Sequence, residues 1–200
     1  MLEFVIQNYS REFSANRIKN FLKNKISFTD RTLYEYLIKL EDMLNLFFVN
    51  RFSQKIYERM SWPKKIYVAD VGISNILSFS EDLGKRMENV VFLELLRYTN
   101  LDPLLEIYYY RDYQQREVDF VLKSSKGIWK LIQVTYASAK DEIDKREMTS
   151  LIKASNLLKC KNLTVITWNY EEQIKVEDKI IKCVPLWNML TTINFLQSQI

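Results

Sequence analysis

Arg116-Glu117-Val118-Asp119-Phe120-Val121-Leu122-Lys123, then Ser124-Ser125-Lys126-Gly127, then, after Ile128, Trp129-Lys130-Leu131-Ile132-Gln133-Val134-Thr135-Tyr136 is the stretch on which the reading of the chain turns. Side chains two apart on a strand point the same way, so Glu117 and Asp119 share one face and Gln133 and Thr135 repeat the spacing on the next strand. The small residues and the glycine between them suit a hairpin turn, which makes the two strands antiparallel neighbours. Four polar groups then converge on one patch of an otherwise apolar sheet. Alternation alone leaves two readings open: a polar face turned to water, or a chemical site.

The order of the polar groups favours chemistry. An acid on one strand, followed after a hairpin by Gln/Glu-x-Lys on the next, resembles the PD-(D/E)XK nuclease superfamily. Asp119 takes the aspartate position, Gln133 the Glu/Gln position, and Thr135 stands where the lysine is expected.

Composition bounds what else is open. The chain has 200 residues, 48% apolar and 27% charged, as in a globular protein with a real core. No apolar run approaches the roughly 20 residues of a membrane span. Met1-Leu2-Glu3-Phe4 lacks the basic start and apolar centre of a signal peptide, so a cytoplasmic location is expected. Two cysteines, Cys160 and Cys183, are too few for a disulfide scaffold, and no histidine is present. Histidine-based acid–base chemistry and triads are thereby excluded, and hydrolysis must rest on carboxylates and a metal. A net charge of +4 permits a nucleic-acid partner without demanding one.

From the N-terminus the pattern is helical. Ser14 precedes Ile18, Phe21 and Leu22 at helical spacing, and Ser27 with Asp30 fits a capping box opening a helix striped by Leu33, Leu37, Leu40 and Leu44. Two β-prone pieces, Leu46 to Phe52 and Ile66 to Ala69, follow around a basic stretch with Pro63. Helix, turn, helix and a two-stranded piece is the order of a winged helix-turn-helix. In a DNA-reading version Arg31 and Tyr34 face the major groove, and Lys55, Lys64 and Lys65 approach phosphates. Asp30, Glu35, Glu41 and Asp42 on the same helix oppose that, and a winged helix used for protein contacts stays open.

Asp70 to Asp82 reads as a connector, giving a winged-helix domain over 1–75 and a second domain over 76–200. Next comes a helix from about Lys85 to Tyr98, apolar almost all round, on which Glu88 and Glu94 need cations, a metal or hydrogen bonds. Strands over Glu106–Arg111, the opening hairpin, a helix from about Asp141 to Lys159, strands over Leu163–Trp168 and Ile180–Val184, and a helix from Trp187 to Leu196 complete the order. This α-β-β-β-α-β run within an α/β (α+β) chain is the core order of the restriction-endonuclease-like fold.

Pro63-Lys64-Lys65-Ile66-Tyr67, Asp70-Val71-Gly72, Met87-Glu88-Asn89, Tyr110-Arg111, Glu117-Val118-Asp119-Phe120, Ile132-Gln133-Val134 and Pro185-Leu186-Trp187 together resemble the C-terminal half of archaeal AAA-type ATPases carrying the DUF4143 domain. The resemblance implies that Glu88 is the helix acid, Asp119 the principal metal ligand and Gln133 the second strand ligand, holding Mg²⁺ or Mn²⁺. Glu117 is a further acid of the site or a partner of Arg116 or Arg111. Lys130, Lys140 and Lys145 are candidates for the missing ammonium. A P-loop ATPase normally precedes this part; no G-x-x-x-x-G-K-[ST] occurs here, so no ATP site is expected in this chain and an ATPase module is expected as a partner in the same or another chain. Two functions follow: a metal-dependent DNA endonuclease module with a degenerate site, or a non-catalytic module binding DNA or protein through a vestigial nuclease fold.

Overall fold

The computed structural model describes residues 2–22, 29–42, 46–72 and 82–192, which carry mixed α and β structure with two sheets and seven α-helices. The chain divides into two units, Met1–Asn89 and Val90–Ile200.

The first unit runs α1 (Leu2–Gln7), β1 (Arg11–Phe13), α2 (Ala15–Leu22), α3 (Asp30–Asp42), β2 (Leu46–Val49), α4 (Ile56–Ser61) and β3 (Lys64–Val68). The strands form an antiparallel sheet in the order β1-β3-β2. Helical spacing buries Ile18 of α2 and Leu33 and Leu37 of α3 with Leu46, Ile66 and Val68 of the sheet. Thr29 begins α3: its hydroxyl accepts the Thr32 N–H at 3.2 Å, as an N-cap does. Ser27 and Leu44, expected to cap and stripe this helix, lie outside the described residues. Strand β1 and helices α1 and α4 are additions to the expected order, and α4 buries no residue.

The division falls inside α5 (Leu83–Leu101), and its first turns explain why. Asn89 is fully buried, donating to the Val68 carbonyl at 2.8 Å and accepting the Val68 N–H at 2.9 Å. Its amide thus completes the backbone pairing of β3 beyond the end of β1. The boundary expected after residue 75 lies among residues outside the described ones.

The second unit carries a six-stranded sheet in the order β4-β5-β6-β7-β9-β8, from β4 (Glu106–Arg111), β5 (Glu117–Ser124), β6 (Gly127–Val134), β7 (Leu163–Thr167), β8 (Glu172–Val176) and β9 (Lys179–Pro185). The first three are antiparallel, β6, β7 and β9 are parallel, and β8 returns antiparallel on the edge. Ser125 and Lys126 make the β5–β6 turn, with Ser124 opposite Gly127. Gly127 has φ +118°, a conformation open to glycine alone at no strain. Between β6 and β7 the chain passes through a 3₁₀ turn (Lys140–Glu142) and α6 (Lys145–Leu158), and α7 (Leu186–Thr191) follows β9. Strand β7 is buried throughout, as its continuous apolar run requires. Strand β8 is an addition, since only Ile174 of its five residues is buried. Among the described residues no helix is long and apolar enough to cross a membrane.

Candidate functional site

Strand pairing assembles the first two members of the site. Phe120 pairs with Ile132 in the antiparallel β5–β6 register, so one step on Asp119 faces Gln133 from the neighbouring strand. Both are buried, with 5% and 6% of their surface exposed. Asp119 is fixed by the Val134 backbone N–H, which donates to its Oδ2 at 2.9 Å. Alternation carries Thr135 to the same face as Gln133, and its N–H pairs with the Ile166 carbonyl at 2.9 Å.

Glu147, which the sequence reading passed over, is the third acidic or amide group here. It sits in the first turn of α6, whose start is fixed twice: Asp144 caps the helix by accepting the Arg146 N–H at 2.7 Å, and the Arg146 guanidinium donates to the Gln115 carbonyl at 3.4 Å. Burial pushes the Glu147 carboxyl up to about 7, the Asp119 charge adds to the rise, hydrogen bonding from Thr135 pulls it partway back, and Asp144 raises it again. Two oxygens at this place are buried without a hydrogen-bond partner, Gln133 Oε1 and Glu147 Oε2. A buried unsatisfied oxygen costs roughly 1–3 kcal/mol, so two on one face call for an explanation. The one sequence signal for Glu147 was Asp144-Lys145-Arg146-Glu147, which has capping-box spacing and places that glutamate in a first helical turn.

The other residues expected at the site have different partners. Glu88 Oε1 accepts from Lys65 Nζ at 2.9 Å and from the Tyr67 hydroxyl at 2.7 Å within the first unit. Its position as helix acid is therefore already occupied by a cation. Glu117 lies 3.9 Å from Arg111 Nε, whereas Arg116 is bound to Asp112 at 2.5 Å. Glu94 pairs with Arg97 at 2.6 Å. Of the lysines considered for the missing ammonium, Lys130 is fully buried and alternates to the face opposite Gln133. Lys140 pairs with Glu172 at 3.6 Å, and Lys145 is exposed on the first turn of α6. Thr135 and Glu147 occupy the place where an ammonium was sought.

The residues expected to meet DNA are largely neutralised by their own chain. Arg31 pairs with Glu35 at 2.8 Å and Lys55 with Glu58 at 3.3 Å. Lys64 is half-buried, its ammonium 6.0 Å from the Phe48 ring centre. Lys65 corrects the expectation outright: 2% exposed and salt-bridged to Glu88, it does not reach a phosphate. Tyr34 is 56% exposed and lines an open groove of about 510 Å³ with Leu37, Ile38, Phe48 and Trp62.

Residues 83–189 match the family described as "Domain of unknown function (DUF4143)". The chain is 34% identical over 195 residues to a Methanocaldococcus jannaschii protein described as "Uncharacterized protein MJ1544", covering 94% of this chain and 43% of that one. It thus spans about two fifths of the length of the curated relative it matches. Among solved structures, a chain of the half-complex from a tetradecameric assembly of Thermococcus gammatolerans McrB AAA+ hexamers with bound McrC shares 13% identity over 96% of this chain and 48% of that one, with a TM-score of 0.38. A likeness at that level carries no conclusion about fold or function.

Proposed function

The chain belongs to the DUF4143 family, and on that premise we propose that its C-terminal unit is a divalent-metal-dependent, phosphodiester-cleaving module of the PD-(D/E)XK kind acting on DNA, preceded by a winged helix. The observation that carries this reading is the pair of buried, unpartnered oxygens, Gln133 Oε1 and Glu147 Oε2, on the sheet face that also bears Asp119.

Two carboxylates and an amide oxygen are hard donors of the kind Mg²⁺ and Mn²⁺ take, and a cation among them would satisfy the two orphaned atoms. Gln133 would bring its amide oxygen to that set beside the carboxylates of Asp119 and Glu147. When bound, such an ion supplies hydroxide near neutral pH and neutralises phosphate charge. Asp119 is held in place by the Val134 N–H, and Glu147, its carboxyl pushed up to about 7, would give up its proton to hold such an ion. Thr135 offers a hydroxyl where an ammonium would steady the developing charge. Loss of one such donor slows the chemistry about a hundred- to a thousandfold, so a weak nuclease is expected.

Plasmid and branched DNA incubated with the protein and Mn²⁺ or Mg²⁺ tests this. Slow cleavage is expected from the wild type and none from Asp119→Ala or Glu147→Gln. Cleavage that persists in both variants overturns the assignment.

The second reading is a non-catalytic module that binds a protein partner through its first unit. It is favoured by the paired cations of that unit and by the open groove of mixed lining beside Tyr34. Binding of duplex DNA by the isolated chain, lost on Arg31→Ala, counts against it. An ATPase module in the same or a separate polypeptide is the partner proposed from the family resemblance.

A further inference from the structure

The strand register places a cation beside the acidic site, where Lys130, Lys140 and Lys145 supply none. Between β5 and β6 Phe120 faces Ile132, and the same count carried on sets Asp119 opposite Gln133 and Glu117 opposite Thr135. Between β4 and β5 Arg111 faces Glu117 from the other side. Directly opposed residues of an antiparallel pair point to one face, so Arg111, Glu117 and Thr135 form a transverse row next to the row of Asp119 and Gln133. The Arg111 side chain lies on that face: its Nε is 3.9 Å from Glu117 Oε2, and it is 26% exposed. Asp119 stands on the diagonal from Arg111, a step of about 7–8 Å that a long side chain spans. Nearby charges have partners of their own. Asp112 holds Arg116 at 2.5 Å. The Arg146 guanidinium donates to the Gln115 carbonyl at 3.4 Å, which brings the first turn of α6, with Glu147, to this end of β5.

We propose that Arg111 holds a DNA phosphate at this site and so provides, from β4, the positive charge that Thr135 beyond β6 does not. This rests on the reading of the site as phosphodiester-cleaving. The two positions flank Glu117 from opposite sides, so a cation on either flank serves the same acids without moving them. Asp119 and Glu117 repel an anionic substrate, and a fixed cation in their midst is what lets a phosphate approach. Arginine suits the task, because a guanidinium stays charged and presents its N–H donors in a planar fork that matches two oxygens of one phosphate. Its hold on Glu117 leaves that fork available: 3.9 Å is longer than a hydrogen bond, and partly exposed ion pairs of that length bind weakly.

The test is titration of a fluorescein-labelled duplex with the protein in chelator, where no cleavage intervenes, over a series of salt concentrations. Arg111→Gln is expected to weaken binding roughly tenfold and to make the slope of log affinity against log salt shallower by about 0.9, as loss of one phosphate contact does. Arg111→Lys is expected to keep the slope. In Mn²⁺, Arg111→Gln is expected to cleave saturating DNA roughly a hundredfold more slowly. Because Arg111→Gln also takes a countercharge from Glu117, the control is Arg111→Gln combined with Glu117→Gln. Its slope is expected to stay shallow, whereas a slope restored to that of the wild type overturns the proposal and makes Arg111 a counter-ion of Glu117 alone. Thermal melts identify a single variant that fails to fold, and the double variant, which carries neither charge, then takes its place. Unchanged affinity and slope in Arg111→Gln, with a wild type that cleaves, overturn the phosphate contact and leave the site. Asp119→Ala separates the two readings: it is expected to lose cleavage and keep the wild-type slope. A wild type with an Arg111-dependent slope that never cleaves keeps the contact and removes the cleavage reading, and a wild type that binds no duplex overturns both.

Discussion

Glu147, in the first turn of α6, lies close enough to Asp119 on the face of β5 against which α6 packs for the Asp119 charge to act on its carboxyl, although the two stand 28 positions apart in the sequence (147 − 119). Burial and then the Asp119 charge push Glu147 from 4.5 up to about 7. A raised folded-state value means that the native protein holds this proton more tightly than the unfolded chain. The associated stability is fully present below about pH 4.5 and is lost as pH rises through about 7. In chelator, the melting temperature should therefore fall between pH 5 and 8, by the equivalent of roughly 1–3 kcal/mol. Glu147→Gln should flatten that part of the profile. A Gln variant whose profile matches the wild type would show that Glu147 is not the titrating group.

Lys65 and Glu88 form a buried pair, 2% and 12% exposed, bridged at 2.9 Å and supported by Tyr67. Removing one member takes from the other a countercharge 2.9 Å away in a place water hardly reaches. Lys65→Met or Glu88→Ala is expected to destabilise the protein by roughly 3–5 kcal/mol, whereas Lys65→Met with Glu88→Leu should recover most of that. Calorimetric titration with Mn²⁺ decides whether the glutamate also serves the site. Affinity is expected to be unchanged in a folded Glu88→Gln protein.

How far the sequence carried this far depended on the range of the interaction. The hairpin was legible because a period of two, a small-residue turn and Gly127 are all local, and they placed Asp119 beside Gln133 without any tertiary information. Glu147 was not legible as a site residue, because Asp144-Lys145-Arg146-Glu147 has the same spelling as a helix cap. Only the packing of α6 on the sheet turns that glutamate inward. Glu88 shows the same limit of range: the apolar helix around it signals a charge in need of a partner, but its lysine partner lies 23 residues upstream on strand β3, beyond any local pattern. Strand β8 escaped because an edge strand needs to bury only one face, and Ile174 alone is too little signal.

Lys130 sits fully buried on β6, where burial and then the Lys182 charge lower its ammonium to about 8, partly offset by Cys160. A depressed lysine means that the unfolded chain binds the proton more tightly. Stability should therefore rise as pH climbs from about 8 toward 10.5, and the full penalty is present at pH 7. Lys130→Met keeps the volume and removes the charge. It is expected to raise stability at pH 7 by about 1–3 kcal/mol and to abolish the alkaline rise in a urea-unfolding series. Because Lys130 lies on the face opposite Gln133, any nuclease activity should survive the change. Loss of cleavage by a well-folded Lys130→Met protein would make this lysine the missing ammonium after all.

Gln133 separates stability from function most cleanly. Its Oε1 is buried without a partner, so in the absence of metal the amide is a liability. Gln133→Leu removes that unsatisfied atom at nearly constant volume. The variant is expected to be as stable as the wild type in chelator, or more stable by up to about 2 kcal/mol. The same substitution deletes an oxygen donor that a divalent ion would need. Millimolar Mn²⁺ should raise the wild-type melting temperature, since an ion that binds only the native state stabilises it by mass action. In Gln133→Leu that rise should shrink or vanish, and in Glu147→Gln likewise. A buried amide that served packing alone would give the reverse result: Gln133→Leu would lose stability in chelator and respond to Mn²⁺ as the wild type does.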